Sequence, residues 1–156
     1  MMGAGFVFVF YYLGVREMWT MKGLTNIPED MKFLASVATK HLRKDGIKYD
    51  YSPNSLHEID QLFCEFHDEG CLPDEMGNSI FCAGAYVGEV IRRVHGGQWV
   101  LEEDGAYRLD VGNGVLCNPI AKVEKLLANG MQDSTHAFFV GLDAIVRARK
   151  GGRYEG

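Results

Sequence analysis

Apolar residues in this chain recur at helical spacing over most of its length and switch to alternation only once, between Trp99 and Val111. In the first helical stretch Ile27, Met31, Leu34, Ala38 and His41/Leu42 share a face, while Lys32, Lys40, Arg43 and Lys44 lie on the other. Asn26 is placed to cap that helix, Pro28 to occupy its first turn and Gly46 to close it. Glu29 and Asp30 suit the positive end of its dipole. Tyr49 to Ser52 reads as an extended link. Ser55 and Glu58 have the spacing of a capping box, which predicts a second helix with Leu56, Ile59, Phe63 and Phe66 buried and Gly70 as its stop.

The segment Leu72, Pro73, Asp74 and Glu75 predicts the start of a third helix, which runs to about His95 before Gly96 and Gly97 end it. Ile80, Phe81, Gly84, Val87, Gly88, Ile91 and Val94 share one face of this helix. Each interior glycine costs about 1 kcal/mol against alanine, so the Gly84/Gly88 pair predicts a close approach by another element. The period then changes. Trp99, Leu101, Tyr107, Leu109 and Val111 alternate around an Asp104-Gly105 turn, as a β-hairpin requires. Gly112 to Gly114 reads as a second turn, Val115 to Cys117 as a third strand, and Asn118-Pro119 as a cap followed by the favoured first-turn proline. A fourth helix carries Ile120, Val123, Leu126 and Leu127 and ends at Asn129-Gly130. Asp133 is read as the cap of a fifth helix, with Phe138, Phe139, Leu142, Ile145 and Val146 inward and a cationic tail of Arg147, Arg149 and Lys150.

These elements predict an α+β fold: a mostly helical single domain over residues 26–150, with about five helices and a small antiparallel sheet near 98–117, followed by a flexible tail at 151–156. A chain of 156 residues buries enough surface for one conventional core. The apolar segment GAGFVFVFYYLGV, within residues 1–25, stands apart. It is shorter than the roughly 20 residues a bilayer helix needs, and Arg16 and Glu17 follow it rather than precede it, unlike a secretion signal. Its aromatic and β-branched content favours a strand, and translation starting at Met18 or Met21 would remove it.

A formal net charge of −5, with no long basic run, argues against nucleic acid as a ligand. Four cysteines without a C-x-x-C pair fit a reducing cytoplasm, and no membrane association or cofactor is expected. Cys64, His67, Cys71 and Cys82 contain zinc-ligand chemistry in a suggestive spacing; burial of thiols as small hydrophobes explains the same residues, so no metal is expected. Glu89, with Tyr86, His95 and Arg92 nearby, is the carboxylate best placed for general acid or base work in a cleft; the competing reading is a structural pair with Arg93 or a polar anchor. Thiol catalysis by Cys82 or Cys117 with one of His41, His57, His67, His95 or His136 has no supporting motif.

GAYVGEVIRRVHGGQW, followed by VGNGVLCNPIAKVEKLLANGMQDST, resembles a family of small bacterial domains of unknown function. That family pairs a GAYLGEV-type helix with a tryptophan strand, an N-P-x-x-K helix and a late N-G-x-x-D-S step. The similarity runs from about Tyr49 to Phe139 and implies no catalytic role. The expectation is therefore a cytoplasmic, immunity-like or accessory module that binds another protein, with a basic partner favoured by charge. Its candidate surfaces are two acidic tips: Asp68, Glu69, Asp74 and Glu75 between the second and third helices, and Glu102, Glu103 and Asp104 at the hairpin turn. A small enzyme with a cleft around Glu89 is the alternative.

Overall fold

The structure, a computed structural model, describes residues 26–42 and 48–151. Helix α1 (Ile27–His41) buries Met31, Leu34, Ala35, Val37 and Ala38. Its start differs from expectation, because the Asn26 side chain makes no capping bond. The Asp30 carboxylate instead reaches back to accept from the Asn26 backbone N–H at 3.0 Å. The helix also ends before Gly46, which lies outside the described residues. The Leu42 carbonyl accepts from the Tyr49 hydroxyl at 3.1 Å, which gives it a tertiary partner in place of a further helical turn.

Helix α2 (Leu56–Asp68) follows a short 3₁₀ turn, Pro53–Ser55. The expected Ser55/Glu58 box does not form at Ser55, whose backbone is already helical at φ −65° and ψ −16°. Ser52 is the cap: its Oγ accepts from the Ser55 N–H at 3.2 Å, and Pro53 takes the first position after it. The Ser55 hydroxyl turns back to donate to the Ser52 carbonyl. A second 3₁₀ turn, Pro73–Glu75, separates α2 from α3 (Gly77–His95). The Leu72-Pro73 signal therefore opens that turn and not the long helix.

Helix α3 is the centre of the fold, packed between α1 and α4 (Pro119–Asn129). From Ser79 to Ile91 every residue except Phe81 is buried. The single inward face expected from periodicity is thus widened to nearly the whole circumference, while Val94 near its end is 42% exposed. Its glycines explain the tight packing. A Cβ on Gly84 would lie 2.5 Å from the Ile120 Cα of α4, and one on Gly88 would overlap the Trp99 ring.

Three antiparallel strands, β1 (Gln98–Leu101), β2 (Tyr107–Gly112) and β3 (Val115–Cys117), lie in sequence order. Trp99 pairs with Leu109, and Leu109 with Cys117, so these three buried side chains form a row across the inner face. The Gly112-Asn113-Gly114 turn needs positive φ at all three positions, which glycine and asparagine tolerate best. Asn118 caps α4 as expected, accepting from the Ala121 N–H at 3.0 Å.

Helix α5 (Thr135–Gly151) is not capped by Asp133, which lies in a third 3₁₀ turn, Met131–Asp133, and pairs with Lys122 at 2.8 Å. Phe139, Leu142 and Val146 face the core, but Ile145 is 49% exposed. Among the described residues one hydrophobic cluster joins the five helices and the sheet. The expectations for FVFVFYY and for the tail beyond Gly151 fall outside the described residues.

Candidate functional site

Glu89 projects from α3 with 1% of its surface exposed. Arg92, one turn on, grips it with two bonds, Nε to Oε2 at 2.7 Å and Nη2 to Oε1 at 3.0 Å. The Trp99 indole N–H donates to Oε2 at 3.2 Å, tying the helix to β1. A buried carboxylate held by a forked guanidinium and an indole is neutralised and fixed, which suits a structural anchor. The same hydrogen bonds hold the Arg92 guanidinium above its ordinary pKa. Arg93, the i+4 partner anticipated from spacing, instead lies over the Tyr51 ring, 3.5 Å from its centroid.

Tyr86 and His95 face other elements. The Tyr51 N–H donates to the Tyr86 hydroxyl at 3.0 Å, and that hydroxyl meets Ser55 Oγ at 2.6 Å. Because the Ser55 proton is committed to the Ser52 carbonyl, Tyr86 is the donor of the second bond. Burial raises the Tyr86 pKa, so its hydroxyl keeps that proton. His95 Nε2 lies 2.9 Å from Asp143 Oδ1 on α5. Arg147 beside Asp143 is the main reason that its carboxyl is held below the usual range. Glu89, Tyr86 and His95 thus address β1, the turn before α2 and α5 respectively, with no shared partner.

The cysteine and histidine positions also separate. Cys82 is buried, Cys64 and Cys71 are half-buried, and His67 Nδ1 is engaged with the Leu127 carbonyl at 2.8 Å. Among the described residues no three His, Cys, Asp or Glu side chains are grouped to hold a metal ion. Burial pushes the Cys117 thiol up to about 12 and raises Cys82 as well. Cys71 is raised first by burial and then by Glu69 and Glu75. Since the thiolate is the nucleophile, alkylation of native protein near neutral pH should be slow and should label Cys64 and Cys71 before Cys82 and Cys117. Peptide mapping after partial labelling checks this order; rapid modification of Cys82 or Cys117 would contradict the burial argument.

The polar centre that sequence reading missed is Asp60. It sits in α2 between Leu56 and Phe63, is 1% exposed, and accepts from the Ser134 hydroxyl at 2.5 Å, the Thr135 N–H at 2.6 Å and the Thr135 hydroxyl at 2.6 Å. The His136 N–H adds a longer bond at 3.3 Å. A carboxylate from one helix therefore caps the N-terminus of another, where the dipole favours negative charge. The one available signal was an aspartate adjoining the apolar stripe of α2.

Both acidic tips are on the surface. Asp68, Glu69, Asp74 and Glu75 are exposed, and Leu72 between them is 58% exposed. At the hairpin Glu103 is exposed and Glu102 half-buried, while Asp104 is drawn into the turn by the Ala106 N–H and by Arg108 at 2.8 Å. Among the described residues no helix is long and apolar enough to cross a membrane.

The fold and its polar groups define a small α+β domain whose buried ionisable side chains serve as caps and anchors. Over residues 19–138 the chain matches the family of unknown function DUF6278, and it belongs to that family. The match begins at Trp19, well before the Tyr49 expected from the motifs, and so takes in α1. No curated protein and no solved structure shows a significant match to the chain.

Proposed function

We propose that this protein is a non-catalytic, cytoplasmic binding domain, immunity-like or accessory, which docks another protein through the acidic tip between α2 and α3. One contrast carries the reading. Glu89, Tyr86 and Asp60 each have close hydrogen-bond partners, whereas Leu72 stands 58% exposed among four exposed carboxylates. An apolar anchor rimmed by charge of one sign fits a partner with an apolar socket in a basic surface. The second tip repeats the arrangement, with Leu101 49% exposed beside Glu102 and Glu103. Four free thiols fit a reducing compartment, and the net charge of −5 opposes nucleic acid while steering a basic protein.

The test is affinity capture from the native host at low salt, followed by measured binding of the purified partner. Leu72→Ser combined with Asp74→Lys and Glu75→Lys is expected to weaken that binding at least tenfold, while Val140→Ser on exposed α5 surface leaves it unchanged. Equal binding by all variants would remove this tip from the proposal. Turnover of a substrate, abolished by Glu89→Gln in a still-folded protein, would replace the binding reading with an enzymatic one.

A further inference from the structure

A groove of about 470 Å³ runs between β3, α4 and α5, within the roughly 300–1,000 Å³ of small-molecule sites. Val115, Leu116, Phe138, Leu142 and Ile145 give it an apolar lining. Leu116 and Ile145 are 48% and 49% exposed, so a residue that periodicity places in the core instead opens onto this groove.

The charges along it have one sign. Lys122, Lys125 and Arg149 line the groove and, among the described residues, no carboxylate does, in a chain with 21 acidic and 16 basic residues. Lys122 is compensated from outside by Asp133 at 2.8 Å. Among the described residues Lys125 and Arg149 make no ion pair. Arg149 donates from Nη1 to the Asn113 carbonyl at 2.8 Å, a bond that anchors the guanidinium without neutralising it. Asn118, which also lines the groove, marks the N-terminus of α4 and adds the positive end of a helix dipole.

We propose that this groove binds an amphipathic carboxylate, with its acyl chain on the apolar lining and its carboxylate at Lys125 and Arg149. Apolar surface beside cations that outnumber the one nearby carboxylate, Asp133, complements such a ligand on both counts. An inorganic anion leaves the lining unused, and an aliphatic cation meets like charge. The site is independent of the acidic tip proposed to dock a protein.

Decanoate is the probe, titrated calorimetrically into the full-length protein below its micellar concentration. One saturable site per chain is expected. Octanoate should bind at least tenfold more weakly, because each buried methylene is worth roughly fourfold in affinity. Lys125→Glu with Arg149→Glu should weaken decanoate about tenfold or more, and Ile145→Asp should abolish binding, with thermal melting confirming that these surface variants remain folded. Absence of saturable binding to the native protein would overturn the proposal. So would equal affinity for decanoate and decyltrimethylammonium, or affinity indifferent to all the substitutions.

Discussion

Asp60→Ala should destabilise the fold by about 3–5 kcal/mol, because it strands several buried donors at about 1–3 kcal/mol each. The carboxylate is 1% exposed and takes donors from Ser134, Thr135 and His136. Truncation leaves two backbone N–H groups at the start of α5 and the Ser134 hydroxyl without their acceptor, and leaves the Thr135 hydroxyl only the Leu56 carbonyl at 3.4 Å. It also breaks a link between α2 and α5 that spans 75 positions of sequence. Asp60→Asn keeps one carbonyl acceptor but turns an NH₂ group toward donors, so it should lose less than alanine and still lose substantially. Ser134→Ala removes one cap bond to Ala137 and one donor to Asp60, and about 1 kcal/mol is expected. Urea unfolding followed by circular dichroism measures all three. A loss below about 1 kcal/mol for Asp60→Ala would mean that water replaces the carboxylate and that α5 does not depend on it.

Gly88→Ala should cost about 2–3 kcal/mol, the magnitude of forcing a methyl group into a filled core. The sign is informative, because the same change on an exposed helix surface gains about 1 kcal/mol from propensity. Here the added carbon overlaps the Trp99 ring, and that ring cannot withdraw freely. It is 3% exposed, faces Leu109 across the sheet and donates its N–H to Glu89. The clash and the anchor are therefore coupled. In a Trp99→Leu background the vacated ring volume should accept the methyl, and Gly88→Ala should cost much less than in the native chain. Additive losses in this double-mutant cycle would show that Gly88 is required for some reason other than the indole.

Local sequence patterns predicted the order and type of the elements well. The period change after Gly97 located the sheet, Asn118-Pro119 marked the start of α4, and the Gly84/Gly88 spacing foretold a close approach. Each of these signals involves energies exchanged among residues a few positions apart, which any single segment already contains. The capping errors have the same origin in reverse. Ser52, Ser55, Asp133 and Ser134 are all plausible local caps, and the choice among them depended on which backbone had already turned and which distant group competed for the hydroxyl.

Charge placement was far less legible. Glu89 stood out in the sequence, but its bond to Trp99 required the hairpin to fold back over α3, and Arg92 rather than Arg93 faced it once that side was enclosed. Asp60 carried no motif because its partners come from the far end of the chain. Ile145 fitted a helical stripe, yet a stripe gives only a direction, and in that direction α5 met a groove instead of the core. The sequence by itself determined the order and type of the main helices and strands and the α+β class, because apolar period and turn chemistry act locally. Tertiary structure alone decided which carboxylates are structural, which cations make no close ion pair and which apolar side chains remain exposed, because desolvation and pairing depend on neighbours that only the folded chain brings together.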